Sequence, residues 1–302
     1  MDGTIKDYLM LHLIVLIWGF TAILGLLISL PAIELVFYRT LIASFGVALL
    51  FLLKKKSLLM PFPDMMKVTG VGFVIAMHWI LFFWSARVST ASVCLAGMAT
   101  TSLWTAFVEP VFNRTKIKWY EVGLGLIVIS GLLVIFSFES GYWLGLSMAL
   151  VSSFLAAVFS VLNGKLAHKH NPYQITFYEM AGACLFSLLF MPVYSSFITG
   201  KGLNLNWVGY DWFWLFILGG ICTVYAFSVS VELMKRLSVF SINLTVNLEP
   251  VYGIILAVLI FGESEKMTPQ FYLGTAIILV SVLTYPVLNY LNRRRKPVRP
   301  LG

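Results

Sequence analysis

Two short stretches of the chain place a full charge inside a long apolar run at matching positions. Val36–Ser44 reads VFYRTLIAS and Thr176–Cys184 reads TFYEMAGAC, so a Phe-Tyr pair precedes Arg39 in one and Glu179 in the other. A charge in hydrocarbon costs at least about 2.5–3.5 kcal/mol, so both side chains need protein or water around them. Charges held this way can gate a passage or couple an ion, and the hydroxyls of Tyr38 and Tyr178 stand beside them for the same work. At a rise of about 1.5 Å per residue, each charge lies some 9 Å inside its own end of the membrane, on opposite sides. Two separate gates are therefore expected, not a direct pair. The competing reading is a structural charge that snorkels to the rim.

Glu249 is the sharpest single candidate for substrate or proton chemistry. It stands near the middle of an apolar run, just before Pro250, whose missing N–H and ring clash free a backbone carbonyl about one turn earlier. A carboxyl that takes and releases a proton there is what a proton-coupled carrier requires; the alternative is a carboxyl fixed by hydrogen bonds between helices. On a continuous helix Thr245, Glu249 and Tyr252 share one face, while Asn243, Asn247 and Pro250 share another, so one stripe is expected to line a cavity. His78 and Trp79 lie at the centre of MHWILFFW, as a hydrogen-bond partner and an aromatic wall for a flat or amphipathic substrate. Trp104 extends that wall, and Tyr225 and Ser228 are candidates of the same kind. Set against this, aromatic clusters in a chain that is 15% aromatic also serve as core or as lipid-facing anchors.

Other chemistry is excluded by what the chain lacks. It has no phosphate-cradling Walker loop and no His-Glu-x-x-His, so neither ATP-driven pumping nor metal-assisted hydrolysis has a basis. Cys94, Cys184 and Cys222 fall inside apolar runs without metal-ligand spacing and read as packing residues. No cofactor, no metal and no enzymatic activity are expected. Ser152, Ala156, Ser160 and Gly164 recur every four residues, a small-residue seam that admits a neighbouring backbone.

The elements that must carry these residues follow from composition. Of 302 residues, 60% are hydrophobic and 11% charged, against roughly 25% charged in a soluble domain. Apolar segments of about 20 residues can each cross the hydrocarbon core as a helix. Ten such segments are predicted, near 8–28, 33–53, 67–86, 90–112, 119–138, 142–163, 172–197, 211–233, 238–261 and 270–291. With the N-terminus inside, 17 Lys and Arg fall in cytoplasmic stretches and only Arg87, Lys201 and Lys266 outside. A multi-pass protein of the inner (cell) membrane with both termini cytoplasmic is expected. The net charge of +8 then reports topology and contact with anionic lipids, and no nucleic-acid partner.

The opening motif belongs to an internal repeat. Helices two and seven align at an offset of 140. RVSTASVCL from Arg87 aligns with RLSVFSINL from Arg236 at an offset of 149, as does Gly125 with Gly274. In that register EPVF at Glu109 is not the partner of EPVY at Glu249; Thr100-Thr101 aligns with Glu249-Pro250. Each half has five helices, and an odd number of crossings inverts the second half. The expected fold is an all-α integral membrane protein of ten transmembrane helices in two inverted five-helix repeats, 1–140 and 141–292, with a basic tail at 293–302. Inverted repeats recur in secondary transporters, because exchanging the conformations of the halves exchanges the open side.

The ten-helix pattern, the run NLEPVYGIILAVLIFGE from Asn247 to Glu263 and the Gly274 helix resemble the drug/metabolite transporter superfamily in its EamA-type branch. The first half departs from that pattern, with Asn113-Arg114 where the family has Gly-Glu. The resemblance implies a carrier of small metabolites, amino acids or drugs. The expected function is secondary transport of a small metabolite, an amino acid or similar amphipathic compound, by efflux and alternating access around a midplane cavity, with protons as a coupling ion. Membrane lipids are the other partners, and the unit is a monomer or homodimer. Alternatives are a multidrug or organic-cation exporter, a channel or an intramembrane enzyme.

Overall fold

A computed structural model describes residues 3–138, 140–200, 202–265 and 267–294. Lys201, Lys266 and the basic tail beyond Arg294 lie outside the described residues. Ten helical spans follow one another with short connections: α1 (Ile5–Leu27), α2 (Ala32–Leu53), α3 (Phe62–Val88), α4 (Ala91–Asn113), α5 (Trp119–Phe138), α6 (Trp143–Ala167), α7 (Pro172–Ile198), α8 (Asp211–Leu233), α9 (Val239–Phe261) and α10 (Pro269–Arg294). Eight of them are long and apolar enough to cross a membrane, and α5 and α10 contribute the apolar stretches Trp119–Gly131 and Pro269–Ser281. No strand occurs among the described residues. This is an all-α integral membrane protein of two five-helix halves.

The halves interlock through a pseudo-two-fold pattern of contacts. Helix α1 packs on α8 and α9 as α6 packs on α3 and α4, and α2 lies on α8 as α7 lies on α3. The pairs α2 with α7, α4 with α9, and α5 with α10 meet across the pseudo-axis. Glycine makes the closest crossings possible. A Cβ on Gly72 would stand 2.2 Å from the backbone oxygen of Glu179, and one on Gly182 would stand 2.3 Å from that of Thr69, so α3 and α7 touch backbone to backbone. At the related crossing, a Cβ on Gly219 of α8 would stand 3.2 Å from the backbone oxygen of Arg39 on α2. The charged residue of each motif thus rests its own peptide on a glycine of the other half.

The tyrosines of the motif obey the same exchange. Tyr38 donates to the carbonyl of Leu205 at 3.0 Å, in the α7–α8 connection, and Tyr178 donates to the carbonyl of Leu58 at 3.2 Å, in the α2–α3 connection. Each hydroxyl pins the loop of the opposite half, at opposite ends of the bundle. Phe37 and Phe177 pack edge-on against their tyrosines, with ring centroids 5.3 and 5.1 Å apart.

Helices α4 and α9 both break at mid-length. The first segment of α4 ends at Met98 and the second starts at Thr101; in α9 the segments end at Val246 and resume at Glu249. Ala99 and Asn247 cap the two leading segments, within one residue of the 149-residue offset that aligns the halves. Pro250 accounts for the break in α9, since it offers no N–H to the carbonyl of Val246. The break in α4 has no proline; there Thr100 and Thr101 turn their hydroxyls back on the carbonyls of Gly97 and Met98, at 2.8 and 2.7 Å. The ends of the two spans differ in the same way. Gly262 closes α9 with φ +60°, and Arg114 takes the left-handed turn after α4 with φ +52°.

Candidate functional site

The two breaks, with a third near Phe20 in α1, surround a cavity between the halves. It measures about 80 Å³, against the roughly 10–15 Å³ that one water needs on the same measure, so it accepts a small solute. Its wall is formed by Trp18 and Thr21 of α1, Arg39 of α2, His78, Trp79 and Phe82 of α3, and Met98 and Thr101 of α4. Across from these stand Ala156, Phe159, Ser160 and Asn163 of α6, Phe227, Ser230 and Val231 of α8, and Ile242, Asn243, Val246 and Glu249 of α9, with Met234 just past the end of α8.

Arg39 is 2% exposed, held by one hydroxyl and one aromatic face. Its Nε donates to Thr223 Oγ1 at 2.8 Å, and its guanidinium carbon lies 3.7 Å from the centroid of the Trp79 ring. A desolvated cation over tryptophan gains about 2 kcal/mol or more, so stacking offsets part of the burial cost without neutralising the charge. Thr223 is available because residues Ile217–Tyr225 of α8 form a π-helical stretch, in which its hydroxyl bonds the carbonyl of Leu218, five residues back. The same stretch offers the Cys222 carbonyl to Trp18 Nε1 at 3.1 Å. No carboxylate lies within ion-pair distance of Arg39 among the described residues. Glu249 faces the same cavity, also outside any ion pair, so the space holds one guanidinium and one carboxyl side chain that are not joined to each other.

His78 is fixed from one side. Its Nδ1 lies 2.9 Å from the carbonyl of Ser152 and therefore carries the hydrogen, leaving Nε2 as an acceptor in the neutral ring; Ser152 Oγ in turn donates to the His78 carbonyl at 2.8 Å. The small residues of α6 are thus a wall of the cavity as well as a packing seam: Ser152 holds His78, Ala156 and Ser160 face the space, and Gly164 admits Val239.

Of the residues selected from sequence for the cavity, His78, Trp79, Asn243 and Glu249 line it, and so does Arg39, selected as a gate. The others lie elsewhere. Trp104 packs edge-on against Phe154; Tyr225 is 38% exposed, with its hydroxyl 3.5 Å from Met10 Sδ; Ser228 donates to Thr176 Oγ1 at 2.9 Å. Asn247 donates to Ser102 Oγ, and Tyr252 covers Gly19. The cavity face of α9 runs Ile242, Asn243, Val246 and Glu249, so it takes Glu249 from one of the two expected stripes and Asn243 from the other. These positions keep ordinary helical spacing across the break at Asn247–Leu248, as do Phe227, Ser230 and Val231 on α8. Trp18, Asn163 and Thr223 carried no sequence signal beyond residue type.

Glu179 does not reach the cavity. It is fully buried behind α6, where Asn163 Nδ2 donates to its Oε2 at 3.4 Å. Polar clusters close the ends of the bundle. At one end Arg87 donates to the carbonyls of Gly25 and Ile28, and Asp211 accepts from the backbone N–H groups of Ser29 and Val208. At the other, Arg236 pairs with Asp7 at 2.8 Å and with Glu232 at 3.3 Å.

An inverted helical bundle enclosing a polar cavity lined by broken helices is the architecture of a membrane transporter. The family model of the EamA-like transporter family matches residues 5–137 and again residues 143–285. The chain belongs to the EamA-like transporter family. Two uncharacterized transporters of Archaeoglobus fulgidus are similar to it, one 23% identical over 92% of this chain and 97% of its own, the other 26% identical over 92% and 96%. A solved crystal structure superposes with a TM-score of 0.71 at 18% identity, over 97% of this chain and all of the other, which shows a shared fold.

Proposed function

We propose that this transporter moves a small zwitterionic metabolite of the amino-acid type by alternating access, loading it from the cytoplasm. The observation that carries this reading is the coexistence of Arg39 and Glu249 in one small cavity, each outside any ion pair. A carboxylate at Arg39 gains charge-assisted hydrogen bonds and an ammonium at Glu249 a counter-charge, while Trp18, Phe82, Phe159 and Phe227 receive an apolar side chain. A cavity with both signs disfavours a lone organic cation, which Arg39 would repel.

Loading from the cytoplasm is supported by the position of the cavity. Its lining reaches Met234, beside the α8–α9 turn that carries Lys235 and Arg236; the excess of basic loops at that end supports a cytoplasmic side there, with both termini on it and the protein in the cell (inner) membrane. Halves 1–140 and 141–292 then act as the two moving repeats and residues 293–302 as a basic tail against anionic lipid.

Purified protein in proteoliposomes tests this by counterflow of labelled amino acids in competition with derivatives lacking one charge. Zwitterions should compete, and amides, N-acetyl derivatives and decarboxylated amines should lose at least tenfold. Amines or quaternary organic cations competing as well as the parent zwitterions would establish an organic-cation exporter instead.

A further inference from the structure

The pair behind the cavity wall is short of one hydrogen. Glu179 and Asn163 are both fully buried. Asn163 Nδ2 reaches Glu179 Oε2 at 3.4 Å, and the two remaining oxygens, Glu179 Oε1 and Asn163 Oδ1, have no hydrogen-bond partner among the described residues. Both are acceptors when Glu179 is ionised, so the site then holds a buried anion and an orphaned carbonyl together, each a cost of kcal/mol size. A protonated carboxyl supplies the missing donor and removes the charge in one step. Carboxylic acid and carboxamide are complementary groups, each with one donor face and one acceptor face.

The charges around the site leave that role open. Helix α7 packs on α2, α3, α6 and α8. On α2 Arg39 is committed to Thr223 and Trp79, and Glu34 stands in the first turn at the far end. On α3 His78 is tied to Ser152, Asp64 pairs with His170 and Lys67, and Arg87 holds the carbonyls of α1. On α6 Lys165 donates to the carbonyl of Phe112; on α8 Asp211 and Glu232 serve the two ends, and Cys222 faces α1. None forms an ion pair with Glu179, nor do Tyr178 and Cys184 on its own helix. Asn163 also lines the cavity, so the pair has a polar face towards the transported solute.

We propose that Glu179, buttressed by Asn163, is the proton-binding site of this carrier: one proton from water joins a carboxylate oxygen in one state and returns to water in the other, with no other bond made or broken. This rests on the transporter reading above and adds the coupling ion and its residue. The substrate then stays with Arg39 and Glu249, and the proton travels on a separate group one wall away.

Two readouts test the idea in the full chain reconstituted in vesicles. Infrared spectra at neutral pH should show a protonated-carboxyl band that Glu179→Gln removes and Asn163→Leu shifts; a wild-type spectrum losing nothing on Glu179→Gln overturns the proposal. Glu179→Gln keeps the shape and donates to Asn163 as the acid would, so it should fold and support counterflow within about twofold of wild type. It should lose the pH-driven accumulation, about tenfold per pH unit for one proton per substrate. Accumulation that persists in Glu179→Gln overturns the proposal. If no zwitterion shows counterflow in the wild type, the substrate reading fails, and the infrared difference still decides the proton site.

Discussion

Arg39 and Glu179 occupy one register position in two halves, behind the same Phe-Tyr pair, and each rests its peptide on a glycine of the opposite half. From there their side chains part. Arg39 turns over Trp79 into the cavity outside any ion pair, while Glu179 is sealed against Asn163 with no ion-pair partner among the described residues. The backbone and tyrosine roles repeat because the pseudo-two-fold axis imposes them on both halves; the side-chain ends are free to differ, because each faces a wall built from different residues. A repeat therefore transfers placement from one half to the other, and chemistry has to be read at each place separately.

The most drastic way to break this comparison is to exchange the charges. Arg39→Glu combined with Glu179→Arg should leave uptake at background, as should each reversal alone, since the two share no contact; recovery in the double variant would make them a direct pair. Next in size is the split between the neutral variants. Arg39→Gln should weaken binding of the zwitterion by about 10–100-fold, the worth of a charge-assisted bond, while Glu179→Gln leaves its affinity within about twofold, as a binding titration would show.

The glycine crossings give a smaller contrast. Gly72→Ala drives a methyl into the Glu179 carbonyl and should cost about 2–3 kcal/mol, whereas Gly219→Ala meets the Ile42 side chain before any backbone atom and should cost less, about 1–2 kcal/mol, read from unfolding in detergent. Smallest are the tyrosines. Tyr38→Phe and Tyr178→Phe each delete one hydroxyl bond of about 1 kcal/mol at opposite ends, and should shift cavity accessibility about fivefold in opposite directions. Thiol labelling of a cysteine placed at Met98, in a chain freed of its own three cysteines, measures this from either side; shifts in the same direction would mean that the two hydroxyls do not hold alternative closed states.

Much of the fold was legible because the bilayer forces it. Apolar length located all ten spans within a few residues, and the 149-residue register rejected Glu109 as the counterpart of Glu249, in agreement with the matching breaks at Ala99 and Asn247. The proline announced one break. The other was hidden, since Thr100 and Thr101 act through hydroxyl back-bonds that sequence does not distinguish from ordinary helical threonine. The cavity was half legible: His78, Trp79, Asn243 and Glu249 could be selected as polar or aromatic groups at mid-depth, but which face turns inward is set by how the helices pack on one another, which residue type alone does not encode. Thr223 and Asn163 gain their importance from partners more than a hundred residues away or on another helix, and no periodicity encodes that.

The exchanged loops bear on how the chain is made. Tyr178 holds the loop that joins α2 to α3, and α2, α3, α4 and α5 each find a main packing partner in the second half. A ribosome delivers α1 to α5 to the membrane before those partners exist, so the early helices are inserted with most of their packing surface still uncovered. The packing can be completed only after the second half has been inserted, so the two-fold design is expected to fold as one unit. Cut between the halves and coexpressed, the two pieces should still find each other, because most of the helix-to-helix packing lies across the cut.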